Sequence, residues 1–397
     1  MNTTPSHPTF GILGARPRFN TLLVGDTTYL PAPERYESIF RDIFARQYYT
    51  NQGPLTSQLE QRLSVLHGMR HVVCVTNATI GLIMAAEAME LRDQVVVPAL
   101  ASTSVLQSLA WAGLEPIFCN IDSSTHQMNI GHVTDILNQN RGAISGILAV
   151  NQWGSICDAP ALRSLASRFG IHLYFDSVHA FANVVNGASI GSLGDVEVFS
   201  LHSSQIMGGA EGGFLCTNDD ALAARLRNIR SSYGAGTFTA VAKTSNGRMS
   251  EAQAALGLLH LDDFPQLQSR NLALLQRYES GLEKVSGLRL LKPSDTCNSN
   301  YAYVVCQVDE SVFGMSRDRL IAVLKAENIN ARHHPCLEAS LAYIAPEEDQ
   351  LQHSVDVIRN YFQLPLGVDV SVHDVDQVCA VLAEARTYAT MLKKIEV

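Results

Sequence analysis

The run IHLYFD (171–176) is apolar until it ends in the carboxylate of Asp176, and His179 follows three residues later. An acid at the C-terminal end of a buried strand can pair with a cationic ring nitrogen in the crevice above a sheet. The plainer role for such an acid is to cap the next loop. A second candidate is VTNATIGL (75–82), which sets Asn77, Ala78 and Thr79 between a strand pattern and a helix pattern. Free backbone N–H groups and a hydroxyl at a helix start form an anion site. Asn and Thr are also ordinary N-caps, so this segment alone leaves both roles open. GASIG (187–191) matches the GxSxG nucleophile elbow, which needs a strand before its serine and a helix after it. Turn-like residues flank it here, Asn186-Gly187 before and Ser192-Leu193-Gly194-Asp195 after, and a serine hydrolase is not expected. His333-His334 and the other eleven histidines show no HExxH or comparable spacing, so no metal site is expected.

Those residues need a frame. Between about residues 70 and 220, short β-rich runs alternate with longer helical patterns. Strands are predicted at 71–76, 94–97, 115–119, 144–150, 171–175, 196–200 and 213–217, and helices at 79–89, 104–112, 130–138 and 159–169. Near-continuous apolar strands joined by helices predict an α/β fold with a mostly parallel seven-stranded sheet buried on both faces. The rhythm breaks over 190–217, where two strands follow each other across a polar, Gly-rich segment. An open α/β sheet is expected to hold its site at such an irregularity. Helices follow at 219–229 and 250–285, the second passing through Pro265. After that come a strand at 301–308 and helices at 316–327 and 375–391. The expected organisation is an N-terminal tail (1–25), a large α/β domain (26–255), a helical connector (256–286) and a small C-terminal α+β domain (287–397).

Composition sets the outer limits. A chain of 397 residues, 46% apolar and 17% charged, can bury a large core and is too apolar to stay disordered. A net charge of -9 argues against a nucleic-acid partner. No stretch approaches the roughly 18 apolar residues of a membrane span. The first twenty residues carry Pro and Gly where a secretory signal would carry its apolar segment. The eight cysteines form no CxxC pair, and most sit in apolar runs such as HVVCV (71–75). Buried free thiols in a reducing cytoplasm are the expected reading.

With these pieces placed, the chain resembles the DegT/DnrJ/EryC1/StrS sugar aminotransferases, which adopt the fold-type-I pyridoxal-phosphate architecture. YYTNQGPLTSQLEQRL (48–63) is similar to that family's N-terminal TNxGP segment, and CVTNATIGL (74–82) to its phosphate-binding strand-turn-helix. WAGLEPIFCNID (111–122), FDSVHAF (175–181), IGSLGDVEVFSLHSS (190–204), AEGGFLCTND (210–219) and NGRMSEAQAALGL (246–258) follow in family order. NYAYVVCQVDE (300–310) and QLPLGVDVS (363–371) resemble its small domain. The resemblance implies that Asp176 holds the pyridinium nitrogen, that His179 sits near the ring oxygen, and that Ala78, Thr79 and Ser200 receive the phosphate. It further implies a homodimer in which Asn246 reaches the partner's phosphate.

Two positions depart from the pattern. Where the family's SFHATK-like motif sets the Schiff-base lysine, the amine that condenses with the cofactor's aldehyde, this chain runs Ser200-Leu201-His202-Ser203-Ser204-Gln205. An amide nitrogen is not a usable nucleophile at neutral pH, and the nearest lysine is Lys243. The family's ring-stacking aromatic is likewise replaced, because Pro98-Ala99-Leu100-Ala101-Ser102 puts serine there. A pyridoxal or pyridoxamine phosphate would therefore be held non-covalently, or be absent. Four functions stay open. One is non-transaminating chemistry on a small substrate in the retained pocket. Another is a cofactor-dependent, dehydratase-like reaction with His202 or His179 as the base. The others are a non-catalytic partner of an active paralogue and an inactive Lys-to-Gln aminotransferase. The family handles mostly nucleotide-linked sugars, whose diphosphate Arg230 or Arg332 could meet. The stretch ARHHPCLEASLAYI (331–344) does not match the family's substrate loop.

Overall fold

The structure is a computed structural model that describes residues 10–25, 28–140, 142–231, 236–334 and 339–394. Cys336 and the middle of the 331–344 stretch lie outside the described residues. Two helices, α1 (Pro33–Arg46) and α2 (Pro54–His67), precede the sheet. An alternating segment follows: β1 (His71–Val75), α3 (Ala78–Ala88), β2 (Gln94–Pro98), α4 (Thr103–Ala112), β3 (Glu115–Cys119), α5 (Ile130–Gln139), β4 (Ile144–Val150), α6 (Ala159–Phe169) and β5 (His172–Asp176).

Local chemistry sets the helix ends. Asn77, Ser102, Asn129 and Asp158 cap α3 to α6 through side-chain oxygens, and Gly113 and Gly170 close α4 and α6 in left-handed conformations. The main sheet runs β1-β9-β8-β5-β4-β2-β3, with β8 (Val196–Ser200) and β9 (Gly213–Thr217) completing the seven strands. It is mixed but mostly parallel, as expected. Only β9 runs against its neighbours β1 and β8. Successive residues of β1 show why both faces are buried. Val73 and Val75 pack with α3 and α4 residues on one side, and Val72 and Cys74 with α2 residues on the other.

The 190-region does not read as a nucleophile elbow. β6 (Val184–Val185) and β7 (Ala188–Ser189) form a hairpin through Asn186 and Gly187, at φ 51° and 80°. Two positive φ values are what a type I′ turn requires. The hairpin pairs with β11 (Cys297–Asn298) in a small sheet that the sequence pattern did not announce.

After α7 (Asp220–Arg230) comes a single helix, α8 (Glu251–Leu282), opened by a Ser250–Gln253 capping box. Pro265 lies inside it without ending it. The C-terminal part has a sheet of β10 (Leu288–Leu290), β12 (Val304–Val308) and β13 (Tyr361–Leu364). That sheet shares a core with the C-terminal half of α8 and with two helices, 317–326 and 372–387. Strand β12 starts three residues later than predicted, because Tyr301 at φ 54° breaks the extended run. Among the described residues the seven cysteines are free and buried, and no helix is long and apolar enough to cross a membrane.

Candidate functional site

A cavity of about 350 Å³ opens at the C-terminal ends of β1, β4, β5 and β8. It gathers the predicted residues Asn77, Ala78, Thr79, Ser102, Asp176, His179, Ser200, His202 and Gln205. At its β1 edge, Asn77 Oδ1 accepts from Ile80 N–H at 2.9 Å, and the Asn77 carbonyl accepts from Gly81 N–H at 3.1 Å. The first bond satisfies the Ile80 N–H, the second is the first bond of the helix ladder, and the N–H groups of Ala78 and Thr79 are left for an anion. Ser200 Oγ, at the end of β8, accepts from His202 N–H at 3.1 Å.

Gly213 brings β9 tight beneath this turn. A Cβ there would lie 2.8 Å from both Ala78 N and Phe199 O. Both are backbone atoms that cannot swing aside. Gly213→Ala is therefore expected to cost about 1–3 kcal/mol in denaturant unfolding. It is also expected to weaken binding of inorganic phosphate to the α3 start, measured by calorimetry. An unchanged protein would show that the strand-helix contact is looser than drawn.

Asp176 is 5% exposed, and its carboxylate accepts from Val178 N–H at 3.0 Å. Burial outweighs that bond and pushes the carboxyl up to about 6. Among the described residues no ion-pair partner meets it. The acid thus sits in the cavity as an unneutralised carboxylate at neutral pH.

His179 is held in a ring stack. Trp153 lies 5.4 Å away at 20°, and Tyr303 4.5 Å away at 48°. Trp153 reaches this place from a left-handed backbone, φ 59°, and its backbone N–H donates to His179 Nδ1 at 3.5 Å. Burial, with His334 adding to it, pushes the His179 imidazole down to about 3, so it is neutral near pH 7. With Nδ1 accepting, the ring proton is on Nε2, and His179 is a donor and a poor base.

The loop between β8 and β9 supplies the other polar groups. His202 Nδ1 contacts Ser204 Oγ at 2.8 Å, and its Nε2 lies 3.7 Å from Glu211 Oε1. Tyr303 Oη donates to Gln205 Oε1 at 2.8 Å. Lys243 is no substitute amine: it is exposed and paired with Glu87 at 2.5 Å. Ser102 lines the cavity, contacts Ser104 at 2.7 Å and caps α4.

Two residues fall elsewhere. Asn246 is exposed and does not line the cavity, and its Oδ1 accepts from Arg248 Nε at 3.0 Å and from Nη2 at 2.8 Å. Arg230 is buried against Glu60 at 2.7 Å and the Cys74 carbonyl at 2.8 Å, so it cannot meet a diphosphate. Arg332 lines a smaller neighbouring cavity with Gln205.

Other lining residues had not been singled out in the sequence. Asn151 and Gln152 follow the apolar strand ISGILAV, and the strand-end rule that pointed to Asp176 could have found them. Gln152 Oε1 is buried without a partner among the described residues. His334 and Glu211 carry no such local signal, and neither does Tyr303, which lines the smaller neighbouring cavities.

Comparison with known proteins follows the same outline. A model of the DegT/DnrJ/EryC1/StrS aminotransferase family matches residues 34–383. The chain is 26% identical over 360 residues to the dTDP-4-amino-4,6-dideoxy-D-glucose transaminase of Shigella dysenteriae, covering 90% of this chain and 97% of that one. It is 26% identical over 352 residues to the spore coat polysaccharide biosynthesis protein SpsC of Bacillus subtilis (strain 168), covering 83% and 89%. The crystal structure of DesI in the presence of its TDP-sugar product matches with a TM-score of 0.86 and 31% identity, over 96% of each chain.

Proposed function

The chain belongs to the DegT/DnrJ/EryC1/StrS aminotransferase family, and from that membership we propose an enzyme of nucleotide-sugar biosynthesis that does not transaminate through a lysine-linked cofactor. The observation that carries this reading is the pairing of Asp176 with Gln205 in one cavity. Asp176 is a buried acid that meets no cation among the described residues, and it shares the cavity with a helix start that has two N–H groups to spare. That donor and acceptor set fits a ring with a protonated nitrogen at one end and a phosphate at the other. Gln205 offers no amine to bond it covalently.

In this reading Asp176 takes the ring nitrogen, while Ala78, Thr79 and Ser200 take the phosphate. His179 donates from Nε2 to the ring oxygen. A pyridoxal-type cofactor, when bound, supplies an electron sink for carbanionic charge on the substrate. His202 is the proton-transfer group, because Ser204 orients its Nδ1 and Glu211 faces its Nε2. The substrate is a nucleotide-linked sugar, by likeness to DesI and the Shigella transaminase. A homodimer belongs to the same reading, with the exposed Asn246 directed toward the partner's phosphate.

The test is to titrate the full chain with pyridoxal and pyridoxamine 5′-phosphates, following absorbance and melting temperature, and then to reduce the complex with borohydride. Saturable binding is expected, with no mass fixed to any cavity residue. A reduced adduct in the cavity would overturn the non-covalent reading. Absence of binding would overturn the cofactor reading altogether.

A further inference from the structure

Gln205 touches more than the main cavity. With Ser204 it also lines two smaller cavities, of about 80 and 90 Å³, and Tyr303 lines both of these but not the main one. The Gln205 side chain therefore stands in the wall between them. Its two ends are bonded differently: Oε1 accepts from Tyr303 Oη at 2.8 Å, and Nε2 faces Ser204 Oγ at 3.5 Å.

Chemistry favours this orientation over the flipped one. An amide oxygen is a strong neutral acceptor, and a phenol is a good donor but a weak acceptor, since its lone pair is shared with the ring. Tyr303 therefore claims the carbonyl end. The NH2 end is left on the side away from Tyr303, beside Ser204, which lines the main cavity as well as the two smaller ones. A glutamine without such an anchor could present either end.

We infer that Tyr303 is a positioning residue that pins the Gln205 amide with its NH2 group toward the main cavity, so that position 205 recognises a carbonyl oxygen on the ligand and not an amine. This rests on the reading that the main cavity holds a pyridoxal-type ligand, whose 4′ carbon is the one a lysine at this position would bond. The Tyr303–Gln205 pair then acts as a specificity element for the substituent on that carbon. Of the two cofactor forms, it favours the aldehyde.

The experiment is an equilibrium titration of the full chain with 5′-phosphates that differ only at the 4′ carbon: pyridoxal, pyridoxamine and 4′-deoxypyridoxine. The aldehyde is expected to bind roughly five- to tenfold more tightly than the 4′-deoxy form, the worth of one net hydrogen bond. The amine is expected to bind no better than the 4′-deoxy form. Tyr303→Phe should shrink the aldehyde's advantage to less than about twofold while leaving 4′-deoxy binding unchanged, because only the amide's orientation is lost. Gln205→Glu, which keeps the Tyr303 bond and removes the NH2, should reverse the order in favour of the amine. Equal binding of aldehyde and 4′-deoxy forms, or an advantage that survives Tyr303→Phe, would overturn the inference and leave the cavity reading standing. Failure of all three compounds to bind would overturn that reading, and the inference with it.

Discussion

Asp176→Asn is expected to make the ligand-free protein more stable at neutral pH while weakening its affinity for a pyridoxal-type ligand. The buried carboxyl is raised from the ordinary aspartate value of 3.8 to about 6. Between those two values the folded chain keeps a proton that the unfolded chain has released. Stability therefore falls as pH rises from about 4 to about 6, and stays lowered above that. A displacement of this size corresponds to about 3 kcal/mol at pH 7. Asparagine fills the same space and carries no charge to desolvate. The variant should gain up to about 3 kcal/mol at pH 7 and nothing below pH 4, in denaturant unfolding run at several pH values. Glu197, pushed up to about 7 by burial, adds a slope of the same sign to both proteins and cancels in the comparison. The affinity should move the other way. A charge-assisted bond to a ring nitrogen is worth about 1.5–3 kcal/mol, or one to two powers of ten in Kd. A variant that loses stability at pH 7, or binds as well as the parent, would remove the reason for reading Asp176 as a functional acid.

Most of the frame that holds Asp176 could be read from the residues alone. Strands such as 196–200 and 213–217 were legible because apolar runs bounded by polar turns leave little choice of register. The break between them marked the loop that carries His202 and Gln205. What escaped the sequence depends on long-range packing. Tyr303 arrives from the C-terminal part of the chain, 98 residues beyond Gln205, and nothing local to NYAYVV points at a cavity. The state of His179 was hidden for the same reason. Its neutrality comes from Trp153 and Tyr303 closing over it, and Trp153 does so from a left-handed backbone that no propensity predicts for tryptophan. Arg230 looked like a free surface cation in the sequence. Only the fold shows that Glu60, 170 residues earlier, consumes it.

Gln205→Lys asks whether lysine is all that separates this cavity from one that bonds its cofactor. The neighbours of position 205 would suit an amine. Tyr303 Oη, Ser204 Oγ and the partly buried setting offer hydrogen-bond partners, and Arg332, in the neighbouring cavity, disfavours the protonated form. Desolvation lowers an amine's affinity for protons and raises the fraction that can attack a carbonyl. The α3 start and Asp176 share the cavity with position 205, and in the proposed reading they hold the aldehyde within it. The variant is therefore expected to turn yellow with pyridoxal phosphate and to bind it at least about tenfold more tightly than the parent, the increment of one further favourable contact of about 1.4 kcal/mol. After borohydride reduction it should carry the ligand's mass on the peptide containing residue 205. The pyridoxamine form cannot condense with an amine and should gain nothing. A variant that folds, binds pyridoxal phosphate as weakly as the parent and shows no reduced adduct would place the defect elsewhere. The next position to change would then be Ser102, which lines the cavity where the family resemblance expects a stacking ring. Adding Ser102→Phe to Gln205→Lys would supply the missing face, and recovery of the adduct only in the double variant would show that the pocket diverged at two places together.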